Sequence, residues 1–443
     1  MHAKYLRSLS MRRMPQMPSL DDVSSRVGSW LARRYLAKAG TGSLDLSQLR
    51  YLPRSAKSAL ERDGLDPVPR LHRRGGEPVR RLPLPLGRTV WLVTGYREVK
   101  EVLGSPDGFS NDLSRIIDGA GTVSSSPGLG FADPPRHTRM RKLLQPEFTK
   151  HRITRIRPRV QEIIDAALDS AAAKPGPVDL VADFAAVIPA AVICELLGMP
   201  QHDRERVQEL SVARFDLSGK AQNSFDAMTE SLEYLRGVLA EQRQNPGEGL
   251  LGAVLREHGD QVDDDELVGL ADGLLTGGFE TTASMIALGA LLMLQDPGIA
   301  RRIREDPAQV DGFVEEALRY STVVQVAFPR FAKRDMRIGG KEIATGDVVV
   351  CSLSAANRDP ALGERMDEFD PSRGRTSHVA FGHGLHRCIG AELGRMELKQ
   401  TYLSLANRFP DMQLAVPTEQ LQFRSLSIVY GLSALPVHLN APD

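Results

Sequence analysis

Phe381-Gly382-His383-Gly384-Leu385-His386-Arg387-Cys388-Ile389-Gly390 leads into a stretch, Ala391 to about Phe409, in which Leu393, Met396, Leu403, Ala406 and Phe409 fall near helical spacing. The pattern predicts a helix with Cys388 at its N-terminus, where the helix dipole favours a thiolate, the form that ligates metal. Gly382, Gly384 and Gly390 are read as positions free to take φ > 0 and to bring backbone N–H groups close to the sulfur. A lone cysteine is ordinarily a small buried apolar residue, which suits the other two, Cys194 and Cys351. Three glycines and two histidines around Cys388 point instead to ligand chemistry.

Upstream, Asp263-Asp264-Asp265-Glu266 opens an apolar run that reaches Gln295 and stops at Asp296-Pro297. Asp263 with Glu266 three residues on has the form of a capping box, and proline cannot continue a helix. The run predicts a helix of about 30 residues, roughly 45 Å long, enough to cross a domain. In its middle stands Gly277-Gly278-Phe279-Glu280-Thr281-Thr282, where two helix-weakening glycines accompany a carboxylate and two hydroxyls. Two readings stand at this point. One is a glycine-eased helix crossing with Glu280 satisfied locally. The other is a groove: the glycines admit a planar ligand, a threonine hydroxyl bonds a carbonyl of the preceding turn and opens it, and Glu280 feeds protons.

Around these two segments, the 443 residues have the composition of an ordinary globular chain, 42% apolar and 25% charged. Lys+Arg and Asp+Glu both number 56, so no bulk charge draws the chain to nucleic acid or an anionic membrane. Zero is a cancellation, because residues 1–40 hold eight bases against two acids and the remainder carries the opposite excess. Residues 1–43 are read as a basic extension, either disordered or forming one amphipathic helix on Val23, Val27, Trp30 and Leu31. Residues 44–443 are read as a single domain, since no linker or repeat divides them. Three scattered cysteines give no disulfide framework, and no uninterrupted apolar window or leader-like block is found, so a cytoplasmic protein with no membrane span is expected.

Strands are expected at Val79–Leu84 with Thr89–Thr94 around the turn Leu86-Gly87-Arg88, and at Met336–Ile343 with Val348–Leu353 around Gly339-Gly340 and Gly346. Helices are expected at Arg97–Gly104, His137–Pro146, Ile153–Ala173, Ala186–Leu197, Arg204–Leu217, Ser224–Gln244 and Val310–Tyr320. The fold class is mainly α with minor β.

With those residues in place, the Phe381–Gly390 loop resembles the haem-binding signature of cytochromes P450, Phe-x-x-Gly-x-x-x-Cys-x-Gly, with every fixed position present. Gly277–Thr282 is similar to that family's Gly-Gly-x-(Asp/Glu)-Thr pattern, Glu316-Ala317-Leu318-Arg319 to its Glu-x-x-Arg element, and His137-Thr138-Arg139-Met140-Arg141 to the His-Thr-Arg-x-Arg of bacterial members. The resemblance runs from about Leu44 to Leu439. It implies the cytochrome P450 fold, a helical haem-thiolate domain with small antiparallel sheets.

The resemblance also assigns roles. Cys388 becomes the iron ligand of haem b (iron protoporphyrin IX), whose thiolate favours O–O cleavage. Phe381, Gly382, Gly390, Gly277 and Gly278 lie against the cofactor, and His137, Arg141, Arg330 and His386 meet its carboxylates. Thr281 and Glu280 serve oxygen activation. Substrate contacts fall in Phe109–Phe131, Val323–Phe328 and Leu426–Val429, with Phe279, Val324, Ala327, Phe328 and Ile428 as the named residues. Glu316 and Arg319 form a structural ion pair; Glu368 stands where the usual third member, an arginine, is expected, and Arg373 is a substitute.

The implied activity is a dioxygen-dependent monooxygenase that oxidises a medium-sized, largely apolar small molecule in a tailoring step of secondary metabolism, by hydroxylation. Oxidative C–C or C–N coupling and a peroxide-dependent peroxygenase are the alternatives, and a non-catalytic haem protein is a third class. One domain leaves no room for a reductase, so ferredoxin or flavodoxin with its reductase is the implied partner. Arg387, Arg395 and Lys399 are the candidate docking patch.

Overall fold

A computed structural model describes residues 59–67, 71, 76–82, 89–112, 128–215, 221–374, 376–424 and 427–440. The basic extension, the Leu86-Gly87-Arg88 turn, most of Phe109–Phe131 and Leu426 lie outside the described residues. In chain order the helices are α1 (Tyr96–Leu103), α2 (Arg136–Leu144), α3 (Lys150–Ala172), α4 (Val187–Leu197), α5 (Arg204–Phe215), α6 (Ala221–Gln244), α7 (Leu250–His258), α8 (Asp264–Gln295), α9 (Pro297–Glu305), α10 (Gln309–Ser321), α11 (Leu353–Ala356) and α12 (Ala391–Arg408). The expected helices are present within a few residues of their sequence bounds, and α7, α9 and the single turn α11 are additional.

The apolar run after Asp263 folds as one helix of 32 residues, α8, with no break at its glycines. Asp263 is the N-cap in an extended conformation, but its side chain makes no cap hydrogen bond. The capping box does not form because Glu266 turns away: its buried carboxylate pairs with Arg139 and lies 3.8 Å from Arg136, tying α2 to α8. At the far end Asp296 stops α8 and caps α9 instead, its Oδ1 accepting from the Gly298 N–H at 2.9 Å, with Pro297 in the first turn. By length and composition α8 could cross a membrane, yet 72% of its apolar window is buried inside the protein. It packs against α4, α6, α10 and α12, and the main apolar core forms around it.

In chain order the strands are β1 (Arg62–Asp63), β2 (Asp66–Pro67), β3 (Val79–Leu82), β4 (Val90–Val93), β5 (Phe109–Ser110), β6 (Val178–Asp179), β7 (Arg330–Ala332), β8 (Met336–Ile338), β9 (Lys341–Ile343), β10 (Val348–Cys351), β11 (Gln413–Leu414) and β12 (Pro436–His438), and the larger sheet has the order β3, β4, β10, β7, β5. Valine-rich β10 was expected to extend the Met336–Ile343 hairpin. It lies instead between β4 and β7, parallel to β4 with Val348 opposite Val90 and antiparallel to β7, where its β-branched side chains are buried on both sides. The other strand pairs among the described residues are antiparallel. Met336–Ile338 and Lys341–Ile343 form a separate hairpin whose turn residues, Gly339 (φ 50°) and Gly340 (φ 79°), take the two positive φ values that a tight two-residue turn requires. A second apolar cluster, with Val79, Val93, Val99, Val102, Val349 and Cys351, seals the sheet against α1. Arg330 is thereby carried on β7 and Cys388 on the approach to α12.

Candidate active site

The cysteine loop is held by its backbone. Gly382 (φ 70°) and Gly384 (φ 71°) take left-handed conformations, and a Cβ on Gly384 would lie 2.4 Å from the Leu103 carbonyl oxygen at the end of α1. Cys388 N–H donates to the Phe381 carbonyl at 2.9 Å and closes the turn. Gly390 departs from expectation: its φ is −83°, and it serves as the N-cap of α12 while its N–H bonds the Cys388 sulfur. Cys388 is open to solvent on one side although protein atoms crowd it. That crowding pushes its thiol up, against the Gly390 N–H and the cations Arg387, Arg141 and Arg395, which favour thiolate. The Arg395 guanidinium sits over the Phe381 ring, 4.6 Å from its centroid.

Four basic residues from three elements converge beside this loop. His137, on α2, is fully buried with no hydrogen-bond partner on either ring nitrogen, and its ring lies 4.3 Å from that of His386. Arg141, one turn on, donates through Nη1 to the carbonyls of Arg387 (3.0 Å) and Leu385 (3.3 Å). Arg330 is buried on β7 and donates to Phe328 O at 2.8 Å. Burial, then Arg141, lowers His137 to about 4; burial, then His137, Arg330 and Arg141, lowers His386 to about 3. Mutually repelling basic groups with two orphaned ring nitrogens fit a ligand that brings carboxylates.

The glycines of α8 divide. A Cβ on Gly277 would meet nothing within 4 Å, so this face of the helix is bare beside open space, as a flat group needs. Gly278 faces the other way: its Cβ would lie 3.2 Å from Ile193 Cδ1, which makes it a helix-crossing residue against α4 rather than a cofactor contact. Phe279, expected among the substrate contacts, is 1% exposed and packs on Ala186 and Ala190. The helix crossing of the first reading falls to Gly278 and the bare face of the second to Gly277. With Cys388, the basic cluster and the Gly277 face, the residues present fit a haem.

Thr281 Oγ1 donates to the Gly277 carbonyl at 2.7 Å, as expected of a hydroxyl bonding the preceding turn, although the helix does not open. Glu280 is buried and ion-paired with Arg424, which also donates to Ser284 Oγ at 2.7 Å. Nothing in the sequence pointed to Arg424: it lies far downstream, carries no motif and reaches α8 only through a hairpin. Of the other residues expected to meet substrate, Val324 bridges Val429 next to Ile428, whose carbonyl accepts from Gln325 N–H at 3.0 Å. Ala327 N–H donates to Cys351 O, and Phe328, 48% exposed, lies 4.4 Å from Phe131.

Arg319 and Glu316 form a buried two-pronged pair, 2.8 and 2.7 Å, and Arg319 also donates to the carbonyls of Asn357, Met366 and Glu368. Arg373 is the third member, its Nε 3.3 Å from Glu316 Oε1, while Glu368 turns outward to Arg365. The expected docking cations are engaged: Arg395 with Glu315 and Glu392, Lys399 with Asp311, and Arg387 3.7 Å from Glu392.

Comparison with known proteins agrees with this geometry. The cytochrome P450 family model matches residues 71–245 and 212–410. Cytochrome P450 165B3 of Amycolatopsis orientalis is 37% identical over 388 residues, 85% of this chain and 97% of that protein. Cytochrome P450 monooxygenase PikC of Streptomyces venezuelae is 37% identical, covering 84% and 91%. The solved structure of OxyE, a cytochrome P450 involved in teicoplanin biosynthesis, superposes with a TM-score of 0.78 at 35% identity over 86% of this chain and 99% of that one. Family match, fold and the cysteine loop agree, and the chain belongs to the cytochromes P450 as a haem-dependent monooxygenase.

Proposed function

We propose that this monooxygenase is a cytoplasmic enzyme that hydroxylates a medium-sized, largely apolar small molecule in a tailoring step of secondary-metabolite biosynthesis, using haem b on Cys388. The observation that carries the reading is Cys388, held by the Gly390 N–H at the head of α12 beside four convergent basic side chains. Bound there, haem supplies the oxygen chemistry, and a thiolate ligand favours O–O cleavage. His137, Arg141, Arg330 and His386 hold its carboxylates; Gly277 gives it a bare helix face; Phe381 and Gly382 shape the loop that presents the thiolate. Thr281 holds a proton at Oγ1, and Glu280 is the acid that replenishes it. Val324, Ala327, Phe328 and Ile428 orient the substrate and exclude water.

Relatives favour one further reading. OxyE is described as involved in teicoplanin biosynthesis, and CxnD, 34% identical with a TM-score of 0.76, as a P450 for C–S bond formation in chuangxinmycin biosynthesis. Oxidative coupling is therefore the alternative outcome at the same site. A compound panel screened for haem spin-state shifts, followed by turnover with ferredoxin and its reductase, separates the two. Hydroxylation adds one oxygen to the product mass, and coupling removes two hydrogens. Full turnover with hydrogen peroxide alone overturns the dioxygen-dependent reading in favour of a peroxygenase.

Electrons arrive from a separate ferredoxin or flavodoxin. Lys142, Lys150, Arg155 and Arg157 are exposed and make no ion pair among the described residues, unlike the cations of α12. They flank Phe148, whose ring lies 3.8 Å from where a Cβ of Gly390 would be, so this face adjoins the cysteine loop. An acidic donor docks here, on the α2–α3 corner.

A further inference from the structure

We infer that Arg424 is a positioning residue for the proton chemistry of α8: it grips Glu280 from the C-terminal hairpin and keeps it an ionised, immobile carboxylate. The inference deepens the oxygenase reading of the helix centre and rests on it.

The grip is built from three sides. Phe423 pairs with Leu432, and Arg424 N–H donates to Gly431 O at 2.8 Å, which fixes the hairpin beside α8. A Cβ on Gly431 would lie 2.3 Å from Arg424 Nη2 and 2.8 Å from Ser284 Oγ, so a side chain there would push the guanidinium aside. Ser284, one turn beyond Glu280 on the same face, accepts from Nη2 at 2.7 Å and sets its angle. The guanidinium is thus locked between Glu280 and Ser284.

The chemistry follows from where each group sits. The Glu280 side chain is 3% exposed and that of Arg424 is 26% exposed, so the pair runs from the helix centre toward solvent. An unpaired carboxylate at that depth takes up a proton or destabilises the fold. An acid that relays protons must rest in its ionised form to accept the next one from water. A guanidinium keeps its own proton at any working pH, so Arg424 transfers nothing and acts as a fixed charge. Thr281 is tied separately, to Gly277 O. With haem bound, the Thr281 hydroxyl would give its proton to the reacting oxygen and take one in exchange from Glu280, which accepts it from a hydronium ion of the solvent and is left, once the proton has passed, an ionised carboxylate beside Arg424.

The test uses holoenzyme variants Arg424→Gln, Arg424→Lys, Gly431→Ala and Glu280→Gln. Infrared difference spectra at pH 7 read the protonation state directly. Arg424→Gln gains a carboxylic-acid band, which disappears in the Glu280→Gln/Arg424→Gln double variant, and Gly431→Ala shows the same band by pushing the guanidinium aside. During oxidation of NADPH through ferredoxin and its reductase, the share of electrons lost as hydrogen peroxide rises about two-fold or more in Arg424→Gln and is largely restored in Arg424→Lys. Lower melting temperature with no new acid band and unchanged peroxide release overturns the inference and leaves a structural ion pair. A wild-type enzyme without a thiolate-type spectrum sinks the underlying oxygenase reading instead, whatever the infrared result.

Discussion

Glu397, on α12, shows what burial alone does to one carboxyl. It is 4% exposed, its Oε2 has no hydrogen-bond partner, and burial pushes it up to about 8 from an ordinary value of 4.5. The folded state therefore holds a proton that the unfolded chain releases. Stability is undiminished below about pH 4.5, falls as pH rises through the window between 4.5 and 8, and levels off above it. Replacing Glu397 with Gln removes that fall: denaturant titrations should show a gain on the order of a few kcal/mol at pH 8 that shrinks toward zero near pH 4.5. Arg319 is the opposite case, a buried cation whose donors are all used. Arg319→Ala leaves Glu316 with only Arg373 and the Asp370 N–H as partners and takes the donor from three carbonyls, and should cost about 3–5 kcal/mol by the same measurement. Arg319→Lys should recover little, because an ammonium cannot reproduce the planar fork. Of this cluster, Glu316 and Arg319 were legible as a helical three-residue spacing. The part of Arg373 rests on a loop that brings it back to α10, so the sequence raised it only as a substitute.

Among elements, α8 carries the sharpest contrast between neighbours. Gly277 faces open space and Gly278 faces Ile193, so equal substitutions should fail differently. Gly277→Leu should fold with near-normal melting temperature but bind less than about a tenth of the haem, read from the Soret absorbance per protein. Gly278→Leu drives a side chain into α4 and should lower stability by about 1–3 kcal/mol while haem uptake per folded molecule holds. The helix itself was legible from its apolar run and its Asp-Pro stop. Asp263 was legible as its N-cap, but the capping box does not form, because Glu266 has a stronger competitor in Arg139 of α2 than in the backbone at Asp263, and tertiary partners leave no mark on local spacing. Likewise the glycine pair was visible, but which glycine faced which neighbour depended on the helix's rotation. The cysteine loop was the most readable element because its geometry is local: two left-handed glycines, one closing hydrogen bond and a helix start. Strand β10 was misplaced since a valine run suits a central strand as well as a hairpin arm, and its partner β4 lies more than 250 residues away.

On the scale of the whole molecule, charge is regional. Cations on α12 are consumed by Glu315, Glu392 and Asp311, whereas Lys142, Lys150, Arg155 and Arg157 at the α2–α3 corner make no ion pair among the described residues. Charge reversal at Lys142 and Arg155 should slow reduction by ferredoxin about ten-fold at low salt and flatten its dependence on ionic strength, read by stopped-flow. The corresponding change at Lys399 should have little effect. The pairing was hidden from sequence because Asp311 and Glu315 sit on α10 and meet α12 only after folding. All of these parts serve one proposed centre, Cys388 as the thiolate that would hold the haem iron, and the absorption spectrum of the reduced carbonyl complex tests it most directly. Wild-type holoenzyme should give the long-wavelength Soret band of thiolate ligation, and Cys388→His should lose it. A wild-type band typical of histidine-ligated haem, or a thiolate-type band that survives in Cys388→His, would contradict the assignment.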